Sequence, residues 1–448
     1  MERISALSDD NYQLCAHDDS TGRKLTLLLT RTGLTMHKLT VESGQFPARD
    51  VLCGPESSSS FKMEGRKFMN QVVGRYANRL PAGKIHLVDS SREASKKMEL
   101  NLDQNETFEA GGGNCLHSGS HGYDLKHFMP VSQDSTIVQK FQPISPAPTT
   151  SKSTTSANFH LHSPAGDQGF PEAIDILATV TLELSPVPQG LDQSIPSKTG
   201  PKTRIGKARF SLKAMLSHPE EVARRDGGTP INLTWHTGYI LNDFRGVPSD
   251  SDGIHQHKLW IKSNEYLAVY ESHLPTGEIQ PNKALGVDFS TPNPFSVEAI
   301  KPIREIMPES GFDQCFLLNS SNGDGSDSSK DPKAILRSPK DDLILVFYTN
   351  QTAVQCYSAN YFDGLGSRKE LHRRISGEPR GGYKKQEAIY LEFQAPSSLC
   401  ANSTLQQNLK SMMKNADNLQ EREDETTTNT FLYPNQVYSN WFLIDIFV

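Results

Sequence analysis

The clearest pattern in the chain is an alternation of apolar and polar residues with the period of a β-strand. Between Ile174 and Leu184 every second residue is Ile, Ala, Val or Leu, and Asp, Thr and Glu fill most of the other positions. A period of two places successive side chains on opposite faces, so this segment is predicted to be a half-buried strand. Residues 342–348, 389–394 and 441–448 have similar strand character.

Helical periodicity is scarce along the chain. Clusters of Gly, Pro, Asn and Asp separate the strand-like runs and indicate turns. Short helices are expected only near residues 212–225 and 405–419. Many strands with few helices predict an all-β sandwich or a related two-sheet fold.

Four polar segments interrupt this pattern, at residues 133–158, 185–204, 319–332 and 405–430. They are rich in Ser, Thr, Pro, Gly or charged residues. Such compositions bury too little apolar area to offset the entropy of ordering the chain. We therefore expect a single domain over residues 1–448 that carries these four segments as flexible insertions.

Composition and charge exclude several classes of protein. The 448 residues carry a formal net charge of −6, without a long run of either sign, which does not fit a nucleic-acid binder. The six cysteines lie far apart and form no CxxC pair, which favours reduced thiols. The first residues lack a signal-peptide pattern, and no run of about 18 apolar residues occurs. These features predict a cytoplasmic protein without membrane or nucleic-acid partners.

Two segments combine turn-forming residues with side chains that can bind hydroxyl groups. Residues 74–84 contain Asn78 and Arg79, whose amide and guanidinium groups offer fixed hydrogen-bond donors. Residues 111–124 place His117 among glycines, which allow a ligand to approach the backbone closely. Each segment also has an ordinary interpretation, as a solvated surface turn or as a loop with an incidental histidine.

Three further residues could act as acids or bases. His236 lies in a β-like stretch, Asp313 directly precedes a predicted strand, and Glu392 lies within the strand-like run of residues 389–394. Taken singly, His236 would be a core histidine and Glu392 a solvated carboxylate. Neighbouring Phe and Leu side chains could instead desolvate the glutamate and raise its pKa towards that of a useful base.

Metal binding has little support in the sequence. The pairs His160-x-His162 and His255-x-His257 could each place two rings on one strand face. Neither pair has a third ligand nearby in sequence, and catalytic zinc needs three protein ligands. No metal is predicted.

Eight segments, taken in order and spacing, resemble the blocks of the aldose 1-epimerase family. Residues 74–84 resemble its GR-x-x-NR-x-x-GK block, 114–119 N-x-LHGG, 163–171 SPDGEEGFPG, 232–242 NLTNHSYFNL, 274–279 PTGE, 312–316 YDHCF, 349–360 YTTQPGVQFYTGN and 390–394 LETQ. The resemblance runs from about Gly33 to the C-terminus and is interrupted by the four insertions. It implies a β-supersandwich of the galactose mutarotase type, which agrees with the strand periodicity.

The resemblance also implies an activity and its residues. Glu392 matches the general base that takes the proton of the C1 hydroxyl, and His236 matches the general acid that protonates the ring oxygen. The implied enzyme is an isomerase that interconverts the α and β anomers of a free hexose, of the galactose or glucose type, without a cofactor. The matched positions expected to bind this small monosaccharide are Asn78, Arg79, His117, Asp313 and Gln355, with Gln351 less favoured than Gln355. A monomer or weak dimer is expected.

Departures from the blocks leave two alternatives open. Trp235 replaces an asparagine before the histidine, Gly238 stands where the block has tyrosine, and Ser118 replaces the first glycine after His117. A hexose 6-phosphate mutarotase would need an arginine cluster, for which Arg75 and Arg79 are the candidates. A sugar-binding protein that has lost turnover is the other alternative.

Overall fold

The computed structural model describes residues 5–8, 10–44, 46–55, 59, 65–87, 89, 98–108, 112–141, 152–186, 194–224, 227–244, 253–319, 330–373, 381–415 and 430–448. In the first half of these ranges the strands are β1 (Ser5–Ser8), β2 (Asn11–Asp18), β3 (Arg23–Thr30), β4 (Thr35–Ser43), β5 (Phe46–Asp50), β6 (Val72–Val73), β7 (Arg79–Pro81), β8 (Gly83–Leu87), β9 (Met98–Leu102), β10 (Glu106–Thr107), β11 (Gly113–Leu116), β12 (Met129–Val131), β13 (Thr154–Ser163), β14 (Ile174–Leu184) and β15 (Ser194–Ile195). In the second half they are β16 (Lys202–Leu216), β17 (Thr229–Pro230), β18 (Thr234–Trp235), β19 (Gly238–Tyr239), β20 (Lys258–Ile261), β21 (Glu265–Val269), β22 (Pro275–Pro281), β23 (Asp313–Leu317), β24 (Ala334–Arg337), β25 (Ile344–Thr349), β26 (Ala353–Tyr357), β27 (Ile389–Gln394), β28 (Phe431–Leu432) and β29 (Tyr438–Phe447). The α-helices are α1 (Thr136–Phe141), α2 (Pro219–Arg224), α3 (Ile303–Ile306) and α4 (Ser403–Asn415).

Three antiparallel sheets form the body of the molecule. One has the order β1-β2-β3-β4-β5, and the largest has the order β12-β13-β14-β16-β29-β25-β24-β20, with β15 also paired to β16. The third has the order β19-β27-β26-β23-β21-β22. A continuous apolar core joins all three, and Leu27, Phe210 and Phe393 are among its buried members. The all-β prediction is therefore confirmed.

Strand β14 shows why the sequence alternates. Apolar residues such as Ile176 and Val180 are fully buried, whereas Asp175 and Thr181 on the other face are partly exposed. The strand pairs along its whole length with β13 and β16, so every backbone group has a partner while only one face needs apolar side chains. The other three predicted strands, at residues 342–348, 389–394 and 441–448, correspond to β25, β27 and β29.

The helix predicted over residues 212–225 is wrong in its first part. Leu212, Ala214 and Leu216 are buried on one face of β16, which pairs with both β14 and β29. A spacing of two residues matches a strand, and the helix α2 begins only at Pro219. The helix predicted near residues 405–419 is present as α4.

The predicted insertions are only partly loops where the structure describes them. Helix α1 lies within 133–158 and buries Val138 and Phe141, β15 lies within 185–204, and α4 occupies the first part of 405–430. The remaining parts at 142–151, 187–193, 320–329 and 416–429 lie outside the described residues. Their flexibility and the single-domain assignment stay predictions.

Two general expectations can be compared with the described ranges. All six cysteines are free, and five of them are buried, as the interpretation of reduced core thiols requires. In these ranges, no helix has the length and apolar character needed to cross a membrane.

Candidate active site

The six-stranded sheet brings three predicted site residues together. Strand β26 lies between β23 and β27, and Gln355 on β26 is directly opposite Glu392 on β27. Asp313, at the start of β23, is opposite Tyr357, which shares a strand face with Gln355. Gln355 Nε2 donates a hydrogen bond of 2.7 Å to Asp313 Oδ1. Three separate segments thus place their polar groups on one face of the sheet.

Glu392 is buried rather than solvated. Strand β27 lies between β19 and β26, and all six of its residues are buried. Burial raises the pKa of Glu392 well above its usual value, the charge on Asp313 raises it further, and Arg79 opposes both. Within the described residues, Oε2 of Glu392 has no hydrogen-bond partner. The carboxyl group is therefore buried, and one of its oxygens is left without a hydrogen bond from the described residues.

His236 is fixed by its backbone and faces this carboxyl group. It follows β18, and its amide donates to Gln71 O at 2.8 Å while its carbonyl accepts from the amide of Asn70 at 2.8 Å. Nε2 of the imidazole lies 3.2 Å from Glu392 Oε1. Burial lowers the pKa of His236 to about 4, so the ring is neutral near pH 7. The imidazole and the carboxyl group therefore lie within hydrogen-bond distance of each other.

Asn78 and His117 form a second unit beside this pair. The amide of His117 donates to Asn78 O at 3.0 Å, and the amide of Asn78 donates to His117 Nδ1 at 3.1 Å. Because Nδ1 accepts, the proton of the neutral ring lies on Nε2. Burial, with the nearby imidazole of His236 and the positive charge of Arg79, holds the pKa of His117 well below its usual value. The two imidazole rings are 5.2 Å apart, so His117 offers an N–H donor close to His236.

Arg79 is oriented by an ion pair. Its Nε and Nη2 donate to the two carboxylate oxygens of Glu106 at 2.8 and 2.9 Å. Asn114 also donates to Glu106, at 3.0 Å, and holds this carboxylate in place. The guanidinium is buried, and its positive charge acts on Glu392. All seven residues predicted for the site are thus buried or partly buried around a common region.

Several residues at this site carry no prediction from the sequence. The ring of Phe68 lies 4.6 Å from the His117 ring, and the ring of Tyr390 lies 4.8 Å from the His236 ring. His273 Nδ1 lies 3.7 Å from Asp313 Oδ2. Tyr390 is two residues before Glu392, so the strand period of two places both side chains on the same face and could have identified it. Phe68 and His273 are distant in sequence from the other site residues, and only the folded structure brings them to the site.

Other candidates lie elsewhere. Gln351 donates to Asn350 and to the carbonyl of Ser439, so its amide is engaged away from Asp313. His160 and His162 both contact Asp175, and His257 accepts a hydrogen bond from the amide of Leu241. In the part of the chain that the structure describes, no group of three His, Cys, Asp or Glu side chains could hold a metal ion.

The chain is similar in sequence to proteins of known name. The family model described as Aldose 1-epimerase matches residues 208–400. The chain is 25% identical over 362 residues to galactose mutarotase of Sus scrofa, which spans 81% of this chain and 80% of that protein. It is 26% identical over 370 residues to aldose 1-epimerase of Escherichia coli, and this match covers 82% of this chain and 85% of that protein.

Solved structures show the same fold. A galactose 1-epimerase from Lactobacillus acidophilus has a TM-score of 0.62 at 17% identity, over 99% of this chain and 97% of that one. A GalM/aldose epimerase homologue from C. elegans has a TM-score of 0.61 at 17% identity, over 97% and 98%. The predicted β-supersandwich of the galactose mutarotase type is confirmed.

The comparisons give the class of the protein as an isomerase that acts on carbohydrates. The chain resembles the aldose 1-epimerase family, through the family model over residues 208–400 and through galactose mutarotases and aldose 1-epimerases over most of its length.

Proposed function

We propose that the protein interconverts the α and β anomers of a free hexose of the galactose or glucose type. The observation that supports this most directly is the buried pair of His236 and Glu392, with 3.2 Å between Nε2 and Oε1. Mutarotation requires one proton to be removed and one to be delivered, at two oxygens bonded to the same carbon. An imidazole and a carboxylate side by side suit that task without a cofactor.

The reaction follows from the two roles. Glu392, as carboxylate, takes the proton of the C1 hydroxyl, and the electron pair left on that oxygen forms the aldehyde as the bond from C1 to the ring oxygen breaks. His236, as imidazolium, gives its proton to the departing ring oxygen. After rotation about the C1–C2 bond, the ring oxygen attacks the other face of C1. It returns its proton to His236, and the carbonyl oxygen takes back the proton from Glu392.

The protonation states suit a pair that holds one proton in total. Burial raises the pKa of Glu392 well above its usual value and lowers that of His236 to about 4, so near pH 7 the imidazole is neutral and Glu392 holds a proton more strongly than a solvated carboxyl group does. Moving the proton from Glu392 to His236 gives the reactive carboxylate and imidazolium without changing the net charge. The charge of Arg79 stabilises the carboxylate of Glu392 and disfavours the imidazolium of His236.

The remaining site residues are proposed to bind the sugar. Asn78, Arg79 and His117 supply hydrogen-bond donors, and Asp313 supplies a carboxylate that Gln355 holds at 2.7 Å. By binding the hydroxyl groups of the sugar, these side chains would position its C1 atom between His236 and Glu392.

Polarimetry on freshly dissolved α-galactose and α-glucose tests the proposal. Glu392→Gln and His236→Asn should each lower kcat by about 10²–10⁴-fold, since each removes one proton-transfer group. Glu370→Gln and His121→Asn make the same chemical changes at exposed positions and should leave the rate unchanged. A wild-type protein that binds sugar in calorimetry but does not accelerate anomerisation would instead be an inactive sugar-binding protein. Full activity in both site variants would overturn the assigned roles.

Phosphorylated hexoses are less suitable substrates for this site. The guanidinium of Arg75 is fully buried and donates to Glu172 O, Ser163 Oγ and Thr229 Oγ1. Arg79 is paired with the carboxylate of Glu106. Neither arginine is therefore available as the main ligand of a phosphate. We expect a faster rate on glucose than on glucose 6-phosphate, and the reverse order would restore the phosphate alternative.

The cytoplasmic location and the monomeric or weakly dimeric state remain predictions from the sequence. Size-exclusion chromatography with light scattering would measure the oligomeric state, and fractionation of cells would measure the location. Neither outcome affects the proposed chemistry.

A further inference from the structure

Gly238 and Tyr390 are direct neighbours across two paired strands. Strand β19 pairs with β27, with Gly238 opposite Tyr390. A Cβ atom at position 238 would lie 2.5 Å from Tyr390 Cζ and 2.6 Å from Cys53 Sγ, which is too close for any side chain. The ring of Tyr390 therefore occupies the space above Gly238. The NLTNHSYFNL block carries a tyrosine at this position, so a glycine here is what admits Tyr390.

The Tyr390 ring is held firmly in that space. It is fully buried, and its hydroxyl lies 3.2 Å from Cys53 Sγ. The rings of Tyr357 and Phe362 lie 5.6 and 6.1 Å away. Cys53 is itself tied to the same region, because its amide donates to Gly238 O at 2.9 Å. These contacts surround the ring on several sides.

The remaining ring neighbour of Tyr390 is His236, at 4.8 Å between ring centroids and an angle of 52° between planes. The backbone around His236 is fixed by Asn70 and Gln71 and by the amide of Leu391, which donates to Thr237 O at 3.2 Å. The backbone fixes the position of Cα but not the orientation of the imidazole. Glu392 cannot be the fixed support, because it exchanges a proton during the proposed reaction.

We propose that Tyr390 is a positioning residue for His236, and that its ring, admitted by Gly238, fixes the imidazole towards Glu392 and the reacting sugar. The reaction itself rests on the proposed function above, whereas the placement of the ring rests only on contacts. Tyr390 takes no part in proton transfer, since its hydroxyl faces Cys53 and burial raises its pKa well above the usual value.

Tyr390→Leu tests the proposal, with Phe362→Leu as the matched control. Both variants remove one aromatic ring from the same buried cluster, and of these two rings Tyr390 contacts His236 whereas Phe362 contacts Tyr390. Tyr390→Leu should lower kcat by about 10–100-fold with little change in KM, as expected when a catalytic group is displaced but still present. Phe362→Leu should leave both constants near those of the wild type. Equal kinetic losses in the two variants would overturn the proposal.

Two further variants keep the test decisive if Tyr390→Leu does not fold. Tyr390→Phe retains the ring and should retain kcat, whereas a ten-fold loss would mean that the hydroxyl is the important group. Gly238→Ala should displace the ring and lower kcat. Where Tyr390→Leu does fold, the two losses should not multiply in the Gly238→Ala/Tyr390→Leu double variant, because both act through one ring. Losses that multiply would show that Gly238 acts independently of Tyr390.

An NMR measurement separates this proposal from the proposed function. The ring signals of His236 in protein labelled with [13C]histidine can be assigned by their loss in His236→Asn. The nuclear Overhauser contacts of the His236 ring with the His117 and Phe68 rings should change in Tyr390→Leu and be retained in Phe362→Leu, whether or not the protein is active. Unchanged contacts in Tyr390→Leu would overturn the positioning role, while an inactive wild-type protein in which Tyr390→Leu changes the contacts would overturn only the function.

Discussion

Ser118 stands where the family block has a glycine, and its backbone has a φ of +67°, in the left-handed region. That conformation costs a non-glycine residue about 1–2 kcal/mol. The side chain compensates, because Ser118 Oγ accepts from the amide of Tyr76 at 2.7 Å and donates to its carbonyl at 3.2 Å. Both groups are buried. Serine is thus tolerated here for a local reason, directly beside His117.

Restoring the glycine should therefore not stabilise the protein. Ser118→Gly relieves about 1–2 kcal/mol of backbone strain. It also leaves a buried amide and carbonyl of Tyr76 without their partner, at a cost of about 1–3 kcal/mol for each such group. We expect a net loss of about 1 kcal/mol in the free energy of unfolding, measured by urea denaturation. Ser118→Ala keeps the strain and loses the same bonds, so it should be the less stable of the two. A Ser118→Gly variant more stable than the wild type would contradict this account.

At the scale of elements, α4 shows that a polar segment can be part of the core. Its residue Leu405 is fully buried in a cluster with Leu267, Cys315 and Leu317, on the strands β21 and β23. Asn408 donates to Gly277 O at 2.9 Å and ties the helix to β22. Since β23 carries Asp313, the helix supports a strand of the candidate site.

Leu405→Ala measures this support. Removing a buried leucine side chain costs about 2–5 kcal/mol, and we expect a loss in that range. Gln407→Ala changes an exposed residue of the same helix and should alter the free energy of unfolding by less than about 0.5 kcal/mol. Chemical denaturation of both variants decides between a docked helix and a dispensable insertion. Equal stability of the two variants would mean that α4 is dispensable.

The sequence predicts elements well where the burial pattern lies within one strand, as in β14. The ordered blocks also single out Glu392 and His236, whose side chains lie 3.2 Å apart in the structure. The sequence does not predict their environment. The cover over Glu392 and His236 comes from Phe68, Tyr390 and the neighbouring strands, which meet only in the folded sheet. A local pattern therefore suggests a solvated carboxylate where the structure has a buried one.

At the scale of the whole molecule, several buried histidines make stability depend on pH. Burial lowers the pKa of His236 and His372 to about 4 and that of His257 to about 3. In the unfolded chain these rings bind a proton near pH 6.5. As the pH falls from about 6.5 to 4, the unfolded state gains protons that the folded state does not, so stability falls. Glu392 and Asp445, whose pKa is raised by burial, bind protons in the folded state and partly oppose this effect.

The size of this effect predicts unfolding in mild acid. A shift of 2.5 units, as for His236, corresponds to about 3 kcal/mol. Three such residues would remove much of the roughly 5–15 kcal/mol that stabilises a typical protein. Urea denaturation at pH 7.5, 6.0 and 5.0 should therefore show a steadily falling free energy of unfolding.

His257→Gln isolates one contribution, far from the reacting groups. His257 Nε2 accepts the amide of Leu241 at 2.9 Å, and a glutamine oxygen can accept the same bond without titrating. Between pH 7.5 and 5.0 the free energy of unfolding should fall less in the variant than in the wild type. The reason is that the variant lacks one group that takes up a proton when the chain unfolds. Kinetic constants at pH 7.5 should stay unchanged. An identical pH slope in wild type and variant would show that the buried rings are not the source of acid sensitivity, and would leave the carboxylates as the groups that control it.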